Sequence, residues 1–279
     1  MRFVAAQSPD RFPTTVWRAA AELAAHRELL RNMVIRDLKV RYRNSVLGFG
    51  WSLLQPLLMM LVFTLVFKVL SRTEIPNYPL FLLTGLLPWN FTHNALSSAL
   101  RSITGNAALV TKVYFPRELL PLSAVLGAFV HFVVAFSLLV IGMLAFGVEF
   151  HSTVLLVPMI MLLQLGLVAG LALIFAAANV MMRDLEQLVD VGLLAWFFLT
   201  PIFYALSVVP NDQFLGLDIH RWVFSLNPMA TLVTDYRYAA IEGFLPIRHT
   251  AVTMLTAAAA ISAGWWLIRH YSHRYAEVV

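Results

Sequence analysis

The stretch RDLKVRYRNSVLGFGWSLLQP, residues 36–56, places five charged side chains in its first eight positions and then, from Trp51, enters nearly twenty largely apolar ones. A basic segment pressed against an apolar run is how a chain enters a bilayer from the side whose lipid headgroups are anionic. Composition agrees: 60% of residues are hydrophobic and 13% charged, and the mean hydropathy is +0.76. These values lie outside the soluble globular range. A bilayer asks only for spans of about 20 apolar residues, and working outward from residue 52 gives six: 52–70, 78–100, 119–147, 153–182, 188–209 and 250–268. Each is expected to be a helix, because lipid offers backbone polar groups no partner. The third and fourth are long enough to require tilt or extension beyond the hydrocarbon.

No apolar core with a small-residue cleavage site precedes residue 40, so the N-terminal segment is expected to be retained. Cysteine is absent, which excludes disulfides and thiolate metal sites. Placing both termini in the cytoplasm puts fifteen of the twenty Lys and Arg residues on that side. The other five, Lys68, Arg72, Arg221, Arg237 and Arg248, lie outside. The reverse orientation breaks the positive-inside rule three to one.

On a helical wheel, Leu23, Leu30, Met33, Val34 and Leu38 share one face of residues 20–44, with Arg36, Lys39 and Arg43 opposite. Asp37 and Arg41 intrude on the apolar side. The pattern is that of an interfacial amphipathic helix. Two readings of its cations stand side by side. They anchor the chain to anionic headgroups, or Lys39, Arg41 and Arg43 also receive an anionic substrate head such as a lipid pyrophosphate. The glycines of Ser45–Gly50 permit a tight turn beside the headgroups before Trp51.

These residues carry a family resemblance. Arg36 to Arg43, Ser45-Val46-Leu47-Gly48 and Trp51 to Pro56 are similar to the entrance region of ABC-type polysaccharide export permeases, the membrane subunits that export O-antigens, capsules and wall teichoic acids. Three further blocks follow in the family's order. They are Pro88-Trp89-Asn90-Phe91 with Asn106 to Leu122; Asn179 and Arg183-Asp184-Leu185 with Thr200 to Tyr204; and Asn227-Pro228 with Arg237. The resemblance covers roughly residues 25 to 270.

It implies a single permease domain over residues 1–279: an all-α integral membrane protein of six spans, an N-terminal amphipathic helix, and extracytoplasmic gate helices in 210–246. It implies a substrate entrance at Arg36, Lys39, Arg41, Arg43, Gly48 and Trp51. It also implies a coupling helix at 105–116, with Asn106, Lys112, Tyr114, Phe115, Arg117 and Glu118 meeting a separate ATPase. The chain has no G-x-x-x-x-G-K-[ST] loop to hold ATP phosphates, so no cofactor is expected in it, and ATP and Mg²⁺ fall to the partner. The plainer reading of 105–116 is an interfacial turn with an aromatic anchor, and that of 210–246 an ordinary outer loop.

Twenty Phe, eight Tyr and seven Trp suit a glycan channel, since sugar C–H faces lie well on rings. Phe63, Phe67, Trp196, Phe197 and Phe198 are candidates for its lining, although three consecutive aromatics cannot all face one pore. The cytoplasmic half of the second span, with Asn90, Thr92, His93, Asn94, Ser97 and Ser98, is too polar for lipid and belongs against protein or water. Asp184, Glu186 and Asp190 lack the clustered partners of a metal site, and no metal is expected. His131 and His93 read as satisfied interior histidines. Gly166-x-x-x-Gly170 permits close helix approach within the chain or between copies.

The function expected is a bacterial cytoplasmic-membrane permease, not an enzyme, that works as a homodimer with two ATP-binding subunits and moves an undecaprenyl-pyrophosphate-linked polysaccharide. No nucleic-acid partner is expected. An ABC permease for a drug or small lipid, and an enzyme acting on polyprenyl phosphates, are the rival readings.

Overall fold

The computed structural model describes residues 24–43, 45–70, 75–112, 115–182, 184–205, 213–214, 217–218 and 227–271. Nine α-helices lie among them: α1 Arg27–Arg41, α2 Trp51–Thr64, α3 Tyr78–Leu100, α4 Ala107–Lys112, α5 Leu119–Ala145, α6 Val157–Met181, α7 Leu185–Leu199, α8 Pro228–Arg237 and α9 Ile247–His270. α2 continues as a wider π-type turn over Leu65–Leu70, and α8 does the same over Tyr238–Glu242. A short antiparallel ladder pairs β1 (Gln213–Phe214) with β2 (Leu217–Asp218). α2, α3, α5, α6, α7 and α9 run alternately up and down one bundle, so that Tyr78, Ala145 and Glu242 gather at one end and Leu100, Leu119 and His270 at the other.

Four of these helical stretches are long and apolar enough to cross a bilayer: Gly48–Val69, Leu119–Ala145, Ser152–Met181 and Thr250–His270. α3 is long enough, at 23 residues, but more polar. It is the centre of the bundle, with α2, α5, α6 and α8 packed round it and sixteen of its residues buried. A helix that meets protein on every side has no need of lipid-compatible side chains. Pro88 in its middle deletes one helical hydrogen bond, and polar groups converge there. Gln164 Nε2 donates to Pro88 O at 2.8 Å and to Thr92 Oγ1 at 2.9 Å. The Tyr236 hydroxyl donates to Gln164 Oε1 at 2.9 Å. This buried network ties α3, α6 and α8 together.

α7 departs from the expected span 188–209, starting at Leu185 and stopping at Leu199. Pro201 is the cause: it forces Thr200 into extended backbone, ψ 132°, and has no amide to continue the ladder. Fifteen residues rise about 22 Å, short of a hydrocarbon core of about 30 Å.

α6 and α9 make the closest helix pair. A Cβ on Gly264 would stand 2.5 Å from the Gly170 carbonyl oxygen, so only glycine fits there. Of the two options for the small-residue motif, packing within the chain is the one this structure uses.

In 210–246, where gate helices or an ordinary loop were expected, the described residues hold the β1–β2 ladder and α8. In α8 every residue from Met229 to Arg237 is buried. Its polar groups, Thr231, Thr234, Asp235 and Arg237, are all buried in the bundle.

Candidate functional site

Toward the end of the bundle that carries Leu100 and Leu119, two adjoining cavities follow the groove between α3 and α5, roofed by α1 and the start of α2. The inner one, about 440 Å³, is lined by Arg41, Tyr42, Trp51, Gln55, Asn90, Asn94 and His131 among others. The outer one, about 270 Å³, is lined by Arg36, Asp37, Arg41, Ser98, Arg101, Asn106, Ser123 and His131 among others. Positions 90, 91, 94, 98, 101 and 102 of α3 and its C-terminal turn recur at helical spacing, so one helix face walls both.

Of the expected entrance residues, Arg36, Arg41 and Trp51 line these cavities, while Lys39, Arg43 and Gly48 do not. The two charges that spoilt the apolar face of α1 explain its imperfection. Asp37 pairs with Arg36 at 2.9 Å and accepts from Ser123 Oγ of α5 at 3.4 Å. Arg41 reaches both cavities. The turn after α1 is pinned by a cluster of rings. The Tyr42 hydroxyl lies 3.1 Å from His131 Nδ1, and Phe49 stands 4.9 Å from the His131 ring centroid. Burial pushes the Tyr42 phenol above its usual range, with Arg41 opposing. Gly48 has φ +49° with open space where a Cβ would point, so its need is conformational and not steric.

His131 was read as a satisfied interior histidine, and its contact with Tyr42 fits that. Its place between two cavities, and its pairing with a residue 89 positions away, left no trace in local sequence. Gln55 and Arg101 were missed as cavity residues too. Asn90, Asn94 and Ser98 had a signal in the polar half of α3.

In the coupling segment, a 3-10 turn Thr104–Asn106 leads into α4. Asn106 Nδ2 donates to Ser102 O at 2.8 Å. Phe115 packs against a second, smaller core that includes Ile103, Val110 and Leu119. Arg117 is half-buried. Tyr114 and the side chain of Lys112 lie outside the described residues. Glu118 is buried and accepts from Arg269 Nη2 of α9 at 2.8 Å. Glu186 takes Arg101 Nε at 3.0 Å, and Asp190 is 3.8 Å from its Nη2.

The aromatic candidates divide. Phe63, Phe67 and Phe197 gather round Phe203, with Phe67 and Phe203 stacked at 5.0 Å. Phe198 is exposed. Trp196 turns away and donates to Asn227 Oδ1 at 2.7 Å. That oxygen also caps α8 through the amides of Met229 and Ala230, while Asn227 Nδ2 donates to Leu199 O. Arg237 completes the outer end. Its Nη2 donates to Ile202 O at 2.7 Å, and its guanidinium lies 3.7 Å over the Phe81 ring. One asparagine and one arginine thus hold the broken end of α7 onto α8 and α3.

The ABC-2 type transporter profile matches residues 28–241. The chain is 38% identical over 251 residues to the O-antigen export system permease protein RfbA of Myxococcus xanthus, covering 88% of this chain and 95% of that protein. It is 32% identical over 253 residues to the protein of the same name from Klebsiella pneumoniae, covering 90% and 95%. It is 23% identical over 218 residues to the polysialic acid transport protein KpsM of Escherichia coli, covering 76% and 81%. A bundle with no phosphate loop, matched over most of its length by this profile and these proteins, belongs to the ABC-2 type transporter family.

Proposed function

We propose that this chain is the transmembrane subunit of an exporter that moves a lipid-linked polysaccharide, carried on undecaprenyl pyrophosphate, out across the bacterial cytoplasmic membrane. The observation that carries the reading is the near end-to-end likeness to permeases named for O-antigen export. In this reading six spans cross, namely the four apolar stretches, α3, and α7 completed by the protein-buried residues 200–202 that follow it, and both termini face the cytoplasm. Two copies enclose the channel, since a bundle whose centre is filled by α3 leaves no pore of its own. The ring cluster of Phe63, Phe67, Phe197 and Phe203 lies along that channel. α8 and the β1–β2 ladder form its outer gate. α4 and the residues up to Glu118 receive two separate ATP-binding subunits, which supply ATP, Mg²⁺ and the energy of hydrolysis.

The groove at α1 is the entrance. Its cations sit where a lipid pyrophosphate would arrive from the inner leaflet. Arg41 is suited to it, because a guanidinium grips phosphate oxygens in two places. Deleting the gene in its host is expected to strip polymer from the cell surface and leave lipid-linked polymer inside. Unchanged surface polymer in the deletion strain would overturn the reading.

A further inference from the structure

The two cavities beside α1 differ in chemistry. The outer one is walled by Arg36, Arg101 and the hydroxyls of Ser98, Ser102 and Ser123. The inner one brings together three primary amides, Gln55, Asn90 and Asn94, with the rings of Trp51, Phe91 and Phe132. Arg41 and His131 belong to both.

Arg36 is paired with Asp37 and Arg101 with Glu186. Arg41, at the junction, has no ion pair or hydrogen bond among the described residues, so its guanidinium is the one left for an incoming anion. Asp37 stands in the outer wall with its charge already taken by Arg36.

The amides are equally uncommitted. Asn90 Nδ2 has only the Met59 sulfur at 3.8 Å, and neither Gln55 nor Asn94 makes a hydrogen bond among the described residues. Each amide carries two donors and an acceptor in one plane; Gln55 is exposed and Asn90 and Asn94 are half-buried, so all three stand open to an entering molecule. Free amides beside an open indole are what a pyranose requires: hydroxyls to the amides and a C–H face to Trp51, which is exposed, while Phe91 and Phe132, stacked on each other, supply apolar wall. An acyl chain would strand the amides, and a bare phosphate would not need the rings. A volume of about 440 Å³ falls within the usual size of small-molecule pockets, about 300–1,000 Å³.

The geometry points to a sugar-reading chamber in the permease itself: a pyranose against Gln55, Asn90 and Asn94, with the phosphate attached to it on Arg41. The chain then selects its cargo by the sugar next to the phosphate, before the glycan enters the channel. This rests on the exporter reading and adds a specificity site to it.

The test is direct binding. The full chain, with the subunits that co-purify with it, is placed in lipid nanodiscs. Saturation-transfer NMR then measures glucose 1-phosphate, N-acetylglucosamine 1-phosphate, inorganic phosphate and free glucose. At least one sugar phosphate is expected to bind about tenfold or more tighter than phosphate or glucose alone, a difference of about 1.4 kcal/mol. Asn90→Ala and Gln55→Ala should remove that increment and leave phosphate binding unchanged. Arg41→Gln should weaken both phosphate and sugar phosphate. Trp51→Phe should retain sugar binding that Trp51→Ala loses, at equal membrane abundance. Equal binding of phosphate and sugar phosphate, amide variants that change nothing, or no binding of any probe would each overturn the chamber. Surface polymer in the complemented deletion strain separates the two ideas: if the chain restores polymer but fails the binding tests, only the chamber falls; if it restores none, the exporter reading falls.

Discussion

Asp37 and Arg41 occupy the centre of the apolar face of α1, and the bundle gives each of them a place: Asp37 against Ser123, Arg41 in the wall of two cavities. A headgroup anchor would need only positive charge there, and Arg41→Lys would be silent. An entrance needs the planar fork, so Arg41→Lys is expected to lower polymer export at unchanged membrane abundance, and normal export would reduce α1 to an anchor. Asp235 gives a different test. Burial pushes its carboxyl up to about 7 from 3.8, although Thr250 donates to it and pulls the other way. Between those two values the folded chain holds a proton that the unfolded chain has released. Stability therefore falls as pH rises through that window and levels off above it. Asp235→Asn removes the titration, so the variant should melt higher than wild type at pH 8 and no higher at pH 4.5. Parallel curves would show that the carboxyl stays ionised in the fold.

At the scale of elements, α6 and α9 touch backbone to backbone at Gly170 and Gly264. Gly264→Val should separate them and cost about 1–3 kcal/mol or more through overpacking, read as a lower apparent melting temperature in detergent. Gly127→Ala, with open space at its Cβ, is the control that should not move. The start of α5 is tied to the end of α9 by Glu118 and Arg269. A hydrogen-bonded charge pair of this kind contributes about 1.5–3 kcal/mol. Glu118→Ala should lower the melting temperature, and the exchange Glu118→Arg with Arg269→Glu should recover part of the loss. If α4 docks an ATPase, this pair passes its movement to α9, so Glu118→Ala should also reduce export per ATP hydrolysed.

For the whole molecule, sidedness is the decisive measurement, and the absence of cysteine leaves no background for thiol labelling. Thr111→Cys at α4 should be shielded from an impermeant reagent added to intact cells, and Glu149→Cys after α5 should react; both side chains are exposed. The opposite pattern would invert the molecule. Only 6% of the apolar window of Gly48–Val69 is buried, with Leu58, Leu61, Val62, Leu65 and Val69 bare along it. That stretch therefore depends on lipid or another chain for cover, and cysteines placed along it should cross-link two copies if the channel forms between them.

The amino-acid sequence by itself determined the all-helical class and the positions of most helices, because apolar runs of fixed length and the punctuation of proline and glycine are local signals. It also located the basic segment before α2, whose charges can be counted without knowing what they face. It misjudged the extent of α7. α7 looked long because Thr200-Pro201 is flanked by apolar residues. The polar side chains of α8 gave no hint that Tyr236 would meet Gln164, or that Arg237 would meet Ile202. The groove between α1, α3 and α5 belongs to the tertiary structure alone. Tyr42 and His131 are 89 positions apart, and the amides of α2 and α3 converge only when α5 is laid beside them. In a membrane bundle the pairing of distant polar groups is set by which helix faces meet, and no period along one chain segment records that.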